Sequence, residues 1–317
     1  NKISKIDQFS KNKKKIINLL KKIGSKNITI NNENKKYFSP KTIKDLKKVI
    51  KKNPNTNFLS GGTDLSLKVT KERKDIENII NLTDIKELDY IKKKKYFIEV
   101  GAATPLIKFE KFIKKYYPDF NSVLKRYGSV QIRNVGTIGG NIATASPIGD
   151  TLPILLSLNA KLVIGTIKNN KILSINEFFI SYRKTKLKKK EFIHSIKIPL
   201  YKNNVFKAYK ISKRFDDDIS SVCASFNLEI SKSKIKNVFI AFGGMAEIPK
   251  RAINCEKILI NKHLSIDNFV NAGNFLEKDF YPIDDMRASK NYRMTIAKNL
   301  LIKCFHEIKN NKLLRVN

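Results

Sequence analysis

The chain has 317 residues, of which 41% are hydrophobic; that length accommodates two modest domains with cores of their own, and no apolar run reaches the roughly 18 residues of a membrane span. Its formal charge is +36 at pH 7, yet the lysines are spread over every segment and only nine arginines occur. A surface built for nucleic acid would gather arginine and aromatic side chains on one element, so the charge reads as compositional, with a basic nucleic-acid-binding protein as the alternative from another class. Residues 1–36, polar and lysine-rich around IINLLKKI, read as a lead-in that follows some earlier region, and the start has no apolar block of a signal peptide. In SPKTIKDLKKVI, Ser39 is expected to cap a helix with Pro40 at its first position and Ile43, Leu46, Val49 and Ile50 on one face. NFLSGGTDLSLKV reads as a short strand, a glycine turn and a second apolar run.

Lys92 to Lys95 form a solvated hairpin turn before the strand YFIEVGAA. ATPLIKFEKFIKKYYP repeats the Thr-Pro helix start, with Leu106, Phe109, Phe112 and Ile113 inward and Pro118 expected to stop the helix. KLVIGTIKNNKILSI is a hairpin turning at Asn169-Asn170. The texture changes after Pro199: VFKAYKIS, SVCASFNLEI with Val222, Ala224, Phe226, Leu228 and Ile230 in alternation, and KIKNVFIAFGG predict an antiparallel meander covered on one face. A last helix from about Met286 is expected to bury Tyr292, Ile296 and Leu300.

Three scattered cysteines, Cys223, Cys255 and Cys304, make neither a disulfide framework nor a CxxC site, and a reducing, cytoplasmic compartment is expected. His194, His263 and His306 form no zinc-binding pair, so no metal is assigned. Two glycine segments do ask for a ligand. In SGGTDL, Ser60 to Leu65, successive backbone N–H groups can converge on an anion. RNVGTIGGNIATASPIGD, Arg133 to Asp150, contains no lysine. There Gly136, Gly139 and Gly140 permit close approach, Thr137, Asn141, Thr144 and Ser146 offer neutral donors, and Asp150 opens a helix aimed back at the turn. Neither segment is a GxxxxGK[ST] or GxGxxG signature, and singly each also fits a tight turn of an ordinary α+β protein.

In their order along the chain, SGGTDL, SVQIRNVGTIGGNIATASPIGD, AYKISKRFDDDIS, AFGGMAEIPKRA and DDMRASKNYR resemble the flavin-binding part of the molybdenum hydroxylases, the bacterial xanthine dehydrogenase group above all. The resemblance runs from about Tyr37 to Phe305. It implies an α+β fold: a PCMH-type FAD-binding domain over 37–203, a smaller domain of carbon monoxide dehydrogenase flavoprotein C-terminal type over 204–310, and a tail at 311–317. It also implies a pyrophosphate loop formed by Leu59, Ser60, Gly61, Gly62, Thr63, Asp64 and Leu65. Further FAD contacts are implied at Thr137, Gly140, Asn141, Thr144 and Ser146, with Asp150 accepting from a flavin or ribose hydroxyl, Tyr127 packing on the cofactor, and Ile193 and Lys210 touching it. In KRFDDD, Asp217 is implied to tune the flavin, and no side chain is assigned as catalytic.

With no histidine in either glycine segment, FAD is expected to bind noncovalently. Electrons are expected to arrive from a molybdenum cofactor through [2Fe–2S] clusters and to leave as hydride to NAD+. The eight cysteines such clusters need are not in this chain. A preceding region or a separate subunit is expected to carry them, alongside a molybdenum-cofactor large subunit in a hetero-oligomer, with no specific nucleic acid and no membrane partner. The flavoprotein of a carbon monoxide dehydrogenase-like, aldehyde or aromatic hydroxylase is the alternative within the family. FGGMAEIPKR and RASKNYR read as structural, with Arg287 and Arg293 paired to carboxylates or carbonyls.

Overall fold

The structure, a computed structural model, describes residues 10–23 and 26–310; the expected tail and the first nine residues of the lead-in lie outside the described residues. The N-terminal part holds a four-stranded sheet in the order Ile28–Asn32, Lys35–Ser39, Asn78–Asn81, Asn57–Leu59. The first pair is antiparallel and the other two pairings are parallel. Helix Ile43–Lys52 covers it, with Leu46 and Ile50 buried beside Phe38, Ile80 and Leu82. The cap is Thr42 rather than Ser39: the Thr42 hydroxyl accepts from the Asp45 N–H at 3.1 Å. Ser39 instead ends a strand and donates to Asp84. Three residues after Ser39, a threonine with an aspartate three places ahead competes successfully with the Ser-Pro start. The apolar run after SGGTDL holds a single helical turn, Leu67–Thr70, with Leu67 and Val69 exposed.

A five-stranded antiparallel sheet follows, in the order Ile91–Lys93, Phe97–Gly101, Phe192–Pro199, Lys161–Gly165, Lys171–Ser174. The lysine turn closes as expected, with the Lys94 N–H donating to the Phe97 carbonyl, and Asn169-Asn170 lies in the loop between paired strands. Helices Leu106–Ile113, Pro118–Lys125, Ile138–Thr144 and Thr151–Ser157 pack on this sheet around Phe109, Phe120, Ile138, Leu155 and Ile196. Pro118 opens the second of these helices instead of ending the first, a position that its fixed φ and missing N–H favour.

Strands Asn204–Ile211, Val222–Ser231, Lys234–Gly243 and Lys250–Arg251 form the expected meander. It is covered on both faces, not one. Val222, Ala224, Phe226 and Leu228 pack with Phe242, Phe269 and Leu301 of the C-terminal part. On the reverse, the Ser225 and Ser157 hydroxyls bond at 2.6 Å and the Asn227 amide donates to the Ser157 carbonyl. Small polar residues read as solvent-facing because their partners lie some seventy positions away, on helix Thr151–Ser157, which is buried along its whole length.

The last helix, Lys290–Asn310, leaves Tyr292 46% exposed and turns Arg293 inward at 2%. Arg293 donates to the carbonyls of Ser221 and Gly244 and to Asp285 at 2.6 Å, while Arg287 bonds Asp285 at 3.1 Å. Burial pushes the Asp285 carboxyl up, but the N–H groups of Arg287 and Ala288 and the Arg293 guanidinium outweigh it and hold the group at about 2. Its stabilising contribution is therefore complete above the ordinary carboxylate range and is lost as pH falls from about 4 through 2. Thermal melts of the parent and of Asp285→Asn should differ at pH 5 and converge near pH 2; a constant difference would show that Asp285 acts by geometry alone.

Candidate functional site

The parts of the molecule meet at an open cavity of about 750 Å3, within the range of roughly 300–1,000 Å3 typical of small-molecule sites. One wall is the turn that leaves strand Asn57–Leu59. Gly61 and Gly62 have φ of +81° and +72°, which side chains other than glycine rarely adopt. A Cβ on Gly61 would sit 2.0 Å from the Val135 carbonyl oxygen, so the turn is pressed against the second glycine segment. Among the hydrogen bonds of the described residues, none uses the backbone N–H of the cavity-lining Gly62, Thr63, Asp64 or Leu65. These donors are available to an anion in the cavity.

The opposite wall is built differently from the expectation. Thr137 caps helix Ile138–Thr144, and the N–H groups of its first turn are already spent: Ile138 on the Thr104 carbonyl, Gly139 on the Ala102 carbonyl, Gly140 on the Thr137 hydroxyl. Gly139 is there for close packing, because a Cβ would lie 2.5 Å from that of Ala102. At Gly140 an added Cβ would meet the Thr137 hydroxyl at 2.9 Å and the Ser60 carbonyl at 3.3 Å. The Ser60 and Thr137 hydroxyls, 2.9 Å apart, stitch the two walls together.

Deeper in, the Asn141 amide donates to the Tyr127 hydroxyl at 2.8 Å and its carbonyl accepts from Thr151. Burial, with the nearby Asp150 and Asp64 charges, pushes the Tyr127 phenol up, so it keeps a proton to donate. Asp150 is spoken for within the protein: one oxygen accepts from Lys210 Nζ at 2.6 Å and the other from Ser220. The Lys210 and Asp150 side chains are only 1% and 4% exposed. The loop after strand Asn204–Ile211 supplies the far rim with Asp217, Asp218 and Ile219. Asp217 has φ +51°, and Asp218 is turned back on the backbone N–H groups of Arg214 and Ile219. The backbone N–H of Arg214 is the main cause holding the half-buried Asp218 carboxyl below its usual value.

Of the residues singled out in the sequence, Ser60, Gly62, Thr63, Asp64, Leu65, Tyr127, Thr137, Gly140, Asn141, Thr144, Ser146, Asp150, Ile193, Lys210 and Asp217 all line this one cavity. Leu59 and Gly61 do not reach it; they shape the turn from behind. Sequence reasoning missed the apolar lining residues Phe58, Leu82, Leu187 and Phe192, and it missed Arg183. Phe192 could have been noticed as the neighbour of Ile193 on one strand, whereas nothing local marks Arg183. No histidine or cysteine is among the lining residues, and among the described residues no cluster of His, Cys, Asp and Glu is placed to hold a metal ion. No described helix is long and apolar enough to cross a membrane.

An elongated dinucleotide such as FAD fits these walls: unspent N–H groups at a glycine turn for a diphosphate, neutral donors along the middle, and an apolar pocket for a flat ring. Comparison with known proteins agrees. Residues 30–201 match the family described as FAD binding domain in molybdopterin dehydrogenase, and residues 207–308 match that of the CO dehydrogenase flavoprotein C-terminal domain. The xanthine dehydrogenase of Emericella nidulans is 29% identical over 302 residues, covering 89% of this chain and 22% of that protein. The glyceraldehyde dehydrogenase medium chain of Sulfolobus acidocaldarius is 27% identical over 277 residues, covering 86% and 97%. The chain thus spans about a fifth of the former and nearly all of the latter. Among solved structures, a chain of cyanide-inactivated Cu,Mo-CO dehydrogenase superposes with a TM-score of 0.77 at 24% identity, covering 84% of this chain and 94% of that one. A chain of quinoline 2-oxidoreductase from Pseudomonas putida 86 gives 0.78 at 20%, covering 88% and 98%. At these identities the superpositions speak for the fold.

Proposed function

The chain belongs to the family of FAD-binding domains in molybdopterin dehydrogenases, and from that premise we propose that it is the electron-relay component of a molybdenum hydroxylase of xanthine dehydrogenase type, with FAD held noncovalently in the cavity and NAD+ as acceptor. The observation that carries the cofactor assignment is the set of unspent N–H groups on Gly62, Thr63, Asp64 and Leu65, residues that line a cavity of about 750 Å3. FAD, when bound, supplies two-electron hydride chemistry.

The protein's own part is binding, orientation and charge. The turn Ser60–Leu65 holds the diphosphate through backbone donors of fixed direction. Thr137, Asn141, Thr144, Ser146 and Tyr127 present hydroxyl and amide groups along the cofactor's length. Gly140 keeps Thr137 close to Ser60. The Lys210–Asp150 pair sets a rigid, internally neutral wall, and Ile193 with Phe58 and Phe192 closes the apolar end against water. Asp217 puts negative charge at the rim, where it disfavours an anionic reduced ring. Two units, 37–203 and 204–310, both contribute to these walls.

A [2Fe–2S] component and a molybdenum-cofactor subunit complete the proposed hetero-oligomer. Support for the xanthine type comes from several xanthine dehydrogenases that match most of this chain. An aldehyde-oxidising assembly is the second reading, favoured by the match along nearly the full length of a glyceraldehyde dehydrogenase medium chain. The test begins with the purified chain and added FAD. The protein should turn yellow, and acid precipitation should leave all the colour in the supernatant. Failure to take up FAD overturns the assignment, and colour retained in the pellet overturns the noncovalent linkage. Reoxidation of the dithionite-reduced, gel-filtered protein by NAD+ under argon tests the acceptor, and an unchanged spectrum removes NAD+ from the proposal.

A further inference from the structure

The short hairpin of Phe179–Ser181 and Lys184–Thr185 is anchored at its base and crosses to the cavity at its tip. Phe178 and Phe179 bury themselves in the main core, and the Lys186 N–H donates to the Phe178 carbonyl. The tip, by contrast, shows Ile180 and Tyr182 to solvent. From that tip Arg183 reaches Asp64 on the glycine turn, 119 positions away, through Nη1–Oδ2 at 3.2 Å and Nη2–Oδ1 at 3.0 Å. Arg183 adopts φ +54°, an uncommon value for a long side chain. A backbone held there at a cost persists where surrounding structure imposes it, and here it aims the guanidinium at the carboxylate. The fork-to-fork geometry is the one arrangement in which a pair this exposed, 43% and 38%, gains strength beyond an ordinary surface ion pair.

We propose that Arg183 is a positioning residue: with Asp64 it forms a latch that straps the hairpin across the mouth of the cavity and sets how fast the cofactor leaves. The inference rests on the reading of the cavity as the FAD site. The latch also settles a conflict at the turn, where a free Asp64 carboxylate would repel the diphosphate that the neighbouring N–H groups attract. Paired to Arg183, its charge is cancelled and its backbone remains free to donate.

The latch and a direct phosphate contact by Arg183 make opposite predictions for Asp64. If Arg183 acts through the latch, Arg183→Ala and Asp64→Asn each speed FAD release about three- to fivefold, as expected for losing an ion pair of this exposure, and the double variant is no faster than either single one. Parent release accelerates with salt, while that of the double variant responds less. If Asp64→Asn binds FAD as tightly as the parent or more so, the latch is overturned and Arg183 serves the phosphate directly. A second measurement needs no cofactor. Hydrogen exchange at Phe179–Thr185 in the flavin-free chain should rise in both single variants, and unchanged exchange overturns the latch. Should the parent itself take up no FAD, the cavity reading fails while the exchange result still decides whether the strap exists.

Discussion

Gly61→Ala is expected to cost the chain its capacity to take up FAD while the bulk of the protein stays folded. The added methyl would lie 2.0 Å from the Val135 carbonyl oxygen, a backbone atom that cannot step aside alone. The left-handed conformation adds its own penalty, about 1–2 kcal/mol for an L-residue. Overpacking contributes about 1–3 kcal/mol more. If the turn absorbs both, affinity falls by roughly thirtyfold to several thousandfold. Gly62→Ala is the control, since it shares the positive φ but meets only the Leu59 methyl at 3.0 Å, the end of a flexible side chain. Its loss should stay near the conformational penalty alone. Titration with FAD, after circular dichroism has shown parent-like secondary structure, checks both. An alanine at 61 that binds FAD like the parent would mean that the diphosphate lies elsewhere.

Lys210→Met should give the largest loss of stability of any single change at the cavity. The ammonium is 1% exposed and the carboxylate it neutralises 4% exposed, so truncation leaves Asp150 buried with Ser220 as its remaining side-chain partner. Breaking a buried pair in this way costs about 3–5 kcal/mol. Converting the carboxylate as well, in Lys210→Met/Asp150→Asn, should return much of that loss, because no uncompensated charge remains. Urea unfolding of the three proteins measures it. A single variant within 1 kcal/mol of the parent, as a rough limit for exposed pairs, would show that water reaches Asp150 and that the wall is not rigid.

Local chemistry carried the sequence reading where it succeeded. The turn at Gly61-Gly62 was legible because two adjacent glycines after a strand have few other uses, and both hairpin turns announced themselves through lysine or asparagine pairs between apolar runs. The second glycine segment was found for a reason that holds only in part. Its glycines read as letting a ligand come close, but the N–H groups of Gly139 and Gly140 serve Ala102 and Thr137, and the missing side chain at Gly139 makes room for a strand end nearly forty residues away in sequence. Asp150 shows the same limit. It lines the cavity as expected, yet its lone pairs point at Lys210 and Ser220, which lie on another element. Arg293 in place of Tyr292, and both faces of Val222–Ser231 in place of one, were hidden for a related reason: a polar residue reads as exposed until its distant partner is known. The fold class and most of the cavity could be read from motifs, whereas who bonds whom across the seam could not.

The strand buried on both faces and the helix Thr151–Ser157 that backs it also explain where this lysine-rich composition comes to a halt. Residues 151–158 and 220–228 contain no lysine at all, although the chain as a whole carries 64 lysines and arginines, and every one of these positions is buried. A mutational drift that adds ammonium groups is harmless wherever a side chain can extend into water and ruinous where both sides of the backbone are packed. These two lysine-free stretches are therefore a footprint of two-sided burial. In a chain this rich in lysine, the gap between Thr151 and Leu158 and the gap between Ser220 and Leu228 mark the two sides of one interior seam, joined by the bonds of Ser157 to Ser225 and Asn227.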